Sequence, residues 1–166
     1  MMTHETIDQE KVGDMDAVVM IESMSQTLRS GGTLGDAYLG TSADERETLY
    51  RMGYALYEQG RYSDAFKVFS TLVVHDHREP RFLFALGATC QVLKQYTDAL
   101  LHYMNAAATN AEDPLPILHA AECLMALKRV PEAIDTLRLV LELCPDPQSA
   151  LHHRAVTLLQ GLQPMP

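Results

Sequence analysis

The sequence has no run of 18 or more apolar residues, so nothing in it predicts a membrane-spanning helix. It also lacks a Gly-rich phosphate loop, a GxSxG elbow and an HExxH helix, which removes the usual signatures of nucleotide, acyl-transfer and zinc-hydrolase chemistry. Cysteine is scarce: Cys90, Cys123 and Cys144 form no CxxC pair and are odd in number, which predicts reduced, mostly buried thiols. Basic side chains are also short in supply, 13 against 22 acidic ones for a net charge of −9. No Lys/Arg stripe with interleaved aromatics occurs, and an acidic chain repels phosphate backbones, so nucleic acid is not an expected partner. The first residues, Met1 to Glu5, are polar and acidic where a secretory signal is basic and then apolar, so the expected location is cytoplasmic.

The acidic excess is uneven. Residues 1–45 hold nine acidic and two basic side chains, a net of −7, which leaves −2 for residues 46–166. That nearly neutral body carries a pattern with a period of 34 residues. A small residue recurs as Gly53, Gly87 and Ala121, and an aromatic or branched one as Tyr62, Tyr96 and Val130. A second small column is Ala65, Ala99 and Ala133, and a large one is Phe69, Tyr103 and Leu137. This is the period of the tetratricopeptide repeat, a helix-turn-helix unit in which small residues let two helices approach and large ones fill the space between pairs. Gly60 stands where a left-handed C-cap is wanted, and Pro80 and Pro114 stand where first helices begin. The expected fold is all-α: three tandem tetratricopeptide repeats (46–79, 80–113 and 114–145) stacked as a short right-handed superhelix. The expected helix pairs are about 43–59 with 62–76, 80–93 with 96–109, and 114–127 with 130–143.

The flanks complete the plan. Residues 1–13 show no periodicity and are expected to be disordered. Residues 14–45 are read as an N-terminal helix and a connector. Asp14 and Asp16 suit the helix start, Ala17, Ile21, Met24 and Leu28 share one face, and Gly31 and Gly32 end it. That stripe needs a cover, either the repeat body or the same helix of a second subunit, which makes Ala17, Ile21, Met24 and Leu28 a candidate dimer interface. Ser42 and Glu45 form a capping-box pattern before the first repeat helix. Residues 146–166 are read as a capping helix and tail, with Ala150, Leu151, Ala155, Leu158 and Leu159 on one side.

The candidate functional residues are those the packing columns leave free. First helices of such repeats line the concave face at unit positions 2, 5, 9 and 12, here Glu47, Tyr50, Tyr54 and Tyr57, then Arg81, Phe84, Ala88 and Gln91, then Leu115, Leu118, Glu122 and Met125. Three tyrosines at steps of four and three suggest a groove for an extended peptide. Aromatic walls offer pockets for Pro or Leu, while phenol hydroxyls and Gln91 can bond its backbone; the bland alternative is that the stripe packs on the N-terminal helix as core. A carboxylate clamp would need Lys, Asn and Arg where Tyr50, Tyr54 and Phe84 stand, so an apolar, internal segment is the expected ligand. His75 with His77 and His152 with His153 read as solvated surface pairs, with no metal site implied. His119, Glu122 and Cys123 share one helix without a further orienting group, so neither catalysis nor a cofactor is expected.

Several longer motifs are more specific than the repeat columns. They are Gly31-Gly32-Thr33-Leu34, Leu49-Tyr50 through Tyr57 to Gly60-Arg61-Tyr62, Asp64-Ala65 with Val68-Phe69, and Arg81-Phe82. Leu86-Gly87-Ala88 with Cys90-Gln91 and the run from His119 to Leu124 complete the set. Over about residues 20–145 the chain resembles the class II chaperones of type III secretion, repeat proteins that hold translocator subunits in the bacterial cytosol. The resemblance implies a non-enzymatic, ATP-independent chaperone for two hydrophobic translocators, whose groove takes a Pro- and Leu-containing segment. It carries Tyr50, Tyr54, Tyr57, Phe84, Ala88, Gln91 and His119 over as groove residues, and it implies dimerisation through the N-terminal helix and a transcriptional regulator as a further partner in some relatives. His102-Tyr103-Met104 and the tail after Cys144 depart from the family pattern. Without the resemblance, the repeat columns fit a generic protein-protein adaptor equally well.

Overall fold

The computed structural model describes residues 19, 21–23, 25–30, 32, 33 and 42–162. Seven helices follow one another from residue 42 onward: α1 (Ala43–Glu58), α2 (Tyr62–His75), α3 (Pro80–Val92), α4 (Tyr96–Thr109), α5 (Pro114–Ala126), α6 (Val130–Leu143) and α7 (Ala150–Leu162). The described residues contain no strand, and those at 19, 21–23 and 25–29 are helical. Within the N-terminal stripe, Ala17 and Met24 lie outside the described residues, as do residues 1–18; Ile21 is 64% and Leu28 47% exposed in the single chain.

Local chemistry explains where the helices begin. At α1 the capping box closes in both directions: Glu45 N–H donates to Ser42 Oγ (3.2 Å), and Ser42 N–H donates to Glu45 Oε2 (2.7 Å). Helices α3 and α5 open on Pro80 and Pro114, whose missing N–H costs nothing there, and the preceding Glu79 and Asp113 accept from Arg81 N–H and Leu115 N–H. The first-helix ends are equally regular. Gly60, Lys94 and Lys128, spaced by 34 residues, all have positive φ (73°, 62° and 60°). Each sits in a Schellman turn: Arg61, Gln95 and Arg129 N–H donate to Leu56, Cys90 and Leu124 C=O at 2.9, 2.8 and 2.9 Å.

Packing follows the small-large columns. A Cβ on Gly53 would lie 2.7 Å from Phe69 Cε1, and one on Gly87 would lie 3.0 Å from Tyr103 Cδ1, so each glycine makes room for the ring of its partner helix. Phe69 and Tyr103 are fully buried with Ala65, Leu72, Leu86, Cys90 and Ala99 in one core cluster. Burial of each such ring contributes about 1.5–3 kcal/mol. A second cluster joins Ile117, Ala121, Leu137 and Val140 to Ala155 of α7, so α7 covers the end of unit three. Two histidines depart from expectation: His75 is buried while His77 is exposed, because the last turn of α2 sets His75 inward and leaves His77 in the following turn, and His152 is half-buried with Nδ1 2.8 Å from the Cys144 carbonyl oxygen.

Candidate functional site

Helices α1, α3 and α5 present one side of each to a common channel. Its central hollow, about 280 Å³, is lined by Tyr50, Tyr54, Tyr57, Phe84, Ala88 and His119, with Phe69 and Ala85 behind them. Phe84 and Ala88 of α3 form the floor, the tyrosines of α1 one wall, and His119 of α5 the other. The tyrosines are not equivalent. Tyr50 packs on Phe69 (5.9 Å between centroids) and Phe82 (5.7 Å), and Tyr57 meets Tyr62 edge-on at 5.2 Å. Tyr54 is 52% exposed and gives the channel its open aromatic face. Desolvation raises the Tyr50 and Tyr57 phenols above their ordinary value, so both stay neutral hydrogen-bonding groups at any physiological pH.

Three hollows adjoin this centre: one beside Glu47, Arg51 and Tyr54 on the outer side of α1, and two at the ends of the α3 floor. Of the latter two, one shares Tyr50 and Phe84 and is completed by Pro80, Arg81, Asp113 and Leu115 at the start of α3 and α5. There Arg81 lies over the Tyr50 ring at 5.3 Å, donates from Nε to Glu79 Oε1 (3.0 Å) and from Nη1 to Glu47 Oε2 (3.2 Å). The other shares Tyr57, Ala88 and His119 and is completed by Gln91, Tyr103, Glu122 and Arg154.

At that second end four helices meet in one polar relay. Tyr103 Oη donates to Gln91 Oε1 (2.7 Å), Gln91 Nε2 donates to Glu122 Oε2 (3.2 Å), and His119 Nδ1 stands 3.1 Å from the same carboxylate oxygen. A carboxylate only accepts, so His119 Nδ1 carries a proton and donates it to Glu122. Arg154 Nη2 of α7 lies 2.5 Å from Glu122 Oε1 as an ion pair. Burial raises the Glu122 carboxyl, but the hydrogen bonds from His119 and Gln91 and the charges of His119 and Arg154 outweigh it, and the net shift is downward. The His119 ring is clamped as well, stacked on Tyr103 (5.2 Å, 19°) and edge-on to Phe84 (5.4 Å, 74°).

The channel thus brings together Tyr50, Tyr54, Tyr57, Phe84, Ala88, Gln91, His119 and Glu122. Leu118 is a correction: it is 1% exposed and belongs to the cluster closed by α7, because the cap covers in unit three the position that stays partly open as Tyr50 and Phe84 in the earlier units. Met125 is half-buried and lines none of these hollows. Gln91 spends its carbonyl and one amide donor inside the relay, so it holds Glu122 and Tyr103 more than it reaches for a peptide. Tyr103 and Arg154 escaped the sequence reading. Tyr103 sits in a packing column, and Arg154, at the seventh position of a fourth unit, falls outside the groove positions altogether.

Cys90 and Cys123 are buried thiols pushed up to about 11 and about 12 by desolvation, hence protonated and inert. Among the described residues no group of three or more His, Cys, Asp or Glu side chains could hold a metal ion, and no helix is long and apolar enough to cross a membrane. Stacked helical hairpins with these small-large columns define a tetratricopeptide-repeat protein. Tetratricopeptide-repeat models match residues 50–114 and 93–159. The low calcium response locus protein H of Yersinia pestis is 39% identical over 125 residues, 75% of this chain and 73% of that one. The Yersinia enterocolitica type III secretion chaperone SycD, solved in complex with a peptide of the translocator YopD, is 36% identical and superposes with a TM-score of 0.70 over 73% of this chain and 94% of that one. PcrH of Pseudomonas aeruginosa, 34% identical, has been solved with the chaperone-binding regions of PopD (TM-score 0.70; 74% of this chain, 94% of that one) and of PopB (0.68; 72% and 98%). The chain belongs to the tetratricopeptide-repeat chaperones of type III secretion translocators.

Proposed function

We propose that this protein is a cytoplasmic, non-enzymatic chaperone that keeps two hydrophobic type III translocators soluble before export by holding an extended segment of each in the channel between α1, α3 and α5. The observation that carries this reading is the open aromatic channel itself, and solved relatives that bind translocator peptides support it. From Arg81 to Gln91 the α3 floor runs about 15 Å, the length of about five extended residues. The middle of that span is apolar and suits Pro or Leu, and both ends are polar. An interface of standard size buries about 800 Å² per partner, enough to mask the anchor of a membrane-seeking chain. Ordering a flexible segment offsets part of the gain, which keeps binding reversible at the export machinery. Ile21 and Leu28, exposed in the single chain, belong with Ala17 and Met24 to the face we assign to self-association.

Co-expression with the co-encoded proteins that carry membrane segments tests the assignment. Tyr50 is a poor probe, since it packs on Phe69 and Phe82, so the informative variant is Tyr54→Ala combined with Tyr57→Ala. Wild type is expected to yield a soluble complex. The double variant, folded by circular dichroism, is expected to lose about 1–3 kcal/mol of affinity per hot-spot residue. If wild type left every such protein insoluble, the generic adaptor reading would replace this one.

A further inference from the structure

The polar end beyond His119 holds a charge whose capacity the fold does not use up. Two arginines line the hollows along the α3 floor. Arg81 is committed, with Nε on Glu79, Nη1 on Glu47 and its plane over Tyr50. Among the described residues Arg154 has one partner, Glu122, whose Oε1 lies 2.5 Å from Nη2, and it keeps its side chain 56% exposed. A guanidinium offers five N–H donors in a fixed fork, so several face solvent at the mouth of the channel and are open to a ligand acceptor.

The neighbours of Arg154 cannot take over that task. Tyr103 donates its hydroxyl to Gln91, and Gln91 donates to Glu122. His119 spends Nδ1–H on the same carboxylate. Glu122 is thereby held ionised and in place, and it anchors Arg154 at the channel end rather than neutralising every donor it has. An extended segment that fills the apolar centre and continues past His119 brings its next oxygen acceptors to this fork.

We propose that Arg154 is a specificity-determining residue of the channel, donating N–H groups to a carboxylate or carbonyl oxygen of the bound segment immediately past its apolar anchors. The inference rests on the peptide-binding function proposed above.

The test uses the full chain and fluorescence anisotropy with synthetic peptides that share one Pro/Leu core and carry Glu, Gln or Lys just outside it, in one series on the N-terminal side and in another on the C-terminal side. If a side-chain carboxylate is the acceptor, wild type binds the Glu peptide of one series roughly two- to fivefold more tightly than the Lys peptide, and Arg154→Gln abolishes the difference. If a backbone carbonyl is the acceptor, Arg154→Gln weakens all three peptides by about the same factor. Either result supports the inference. Unchanged affinities for all peptides in an Arg154→Gln protein that melts like wild type would overturn it while leaving the chaperone function intact. If Arg154→Gln melts early, salt decides on wild type: preference for Glu over Lys must shrink between about 0.05 and 0.5 M, and a preference absent at both, with Arg154→Lys binding as wild type does, overturns the inference. Binding of no peptide by wild type would instead point to failure of the functional assignment on which it rests.

Discussion

Gly87→Ala, read beside Gly53→Ala, tests whether the repeat columns are steric in the way the structure indicates. In an exposed helix interior, glycine to alanine stabilises by about 0.8–1 kcal/mol, so the sign of the effect is itself diagnostic. At Gly53 the new methyl would stand 2.7 Å from Phe69 Cε1 and 2.9 Å from Cζ, closer than carbon atoms approach without something shifting. Phe69 is fully buried, leans on Tyr50 and lies behind the central hollow, so its ring can yield only by displacing Tyr50 toward the channel. Overfilling costs about 1–3 kcal/mol, and a 2.7 Å contact belongs in the upper half of that range, about 2–3 kcal/mol, so after the helix gain a net loss of about 1–2 kcal/mol is expected. At Gly87 the methyl meets Tyr103 Cδ1 and Cε1 at 3.0 Å, so a few tenths of an ångström suffice and the net loss is expected to be smaller, about 0.5–1 kcal/mol. Thermal melts should therefore fall by roughly 2–8 °C for Gly53→Ala and by less for Gly87→Ala. The order reverses for ligand binding. Tyr103 carries the 2.7 Å bond to Gln91 and the stack on His119, so displacing its ring loosens the polar end of the channel, whereas Gly53 touches neither. A melt that rises in Gly53→Ala, or a peptide affinity lowered more by Gly53→Ala than by Gly87→Ala, would refute the argument.

Lys94 and Lys128 hold the left-handed positions that Gly60 holds in unit one, at a backbone cost of about 1–2 kcal/mol for a residue with a Cβ. Set against the extra flexibility of glycine in the unfolded chain, about 0.5–1 kcal/mol, Lys94→Gly and Lys128→Gly should each stabilise by about 0.5–1 kcal/mol, and urea titration of the single and double variants checks size and additivity. Stability should also fall with acid in two stages. His102 has its pKa lowered by burial, with Asp98 acting against the shift, and its Nδ1 is buried without a hydrogen-bond partner; the unfolded chain takes up the proton first, so stability is full above about pH 6.5 and declines as pH falls toward the lowered folded value. Glu122, whose carboxyl is lowered, contributes stability that is present above the ordinary carboxyl range and is lost as pH falls through its folded value. Denaturant midpoints measured against pH should lose the first stage in His102→Leu and show a smaller second stage in Glu122→Gln, where Glu45, Asp64 and Glu132, also lowered, keep the remainder; an unchanged profile in either variant would show that the named residue does not contribute.

What periodicity could and could not reveal follows from what a column means. A residue that returns every 34 positions reports a role played inside each unit, so Gly53 with Phe69 and Gly87 with Tyr103 were legible as close helix pairs, and the free positions of α1 and α3 were legible as a wall and a floor. The third unit breaks the equivalence because its next neighbour is α7 and not another repeat pair. At α7 the stack is sealed by Ala155 and its apolar neighbours, and this buries Leu118 although its column is half-open elsewhere. The same helix sends Arg154 back to Glu122, a contact that no spacing within the repeats encodes. The relay from Tyr103 through Gln91 to Glu122 is hidden for a related reason: its members occupy different columns, and although Tyr103 and Gln91 share unit two, only the stacking of unit two on unit three brings Glu122 to them. The apolar centre of the channel therefore repeats the logic of one unit, while its polar end is a property of the junction between the last repeat and its cap. Substitutions confined to the cap should for that reason alter which segments bind more readily than whether the channel forms.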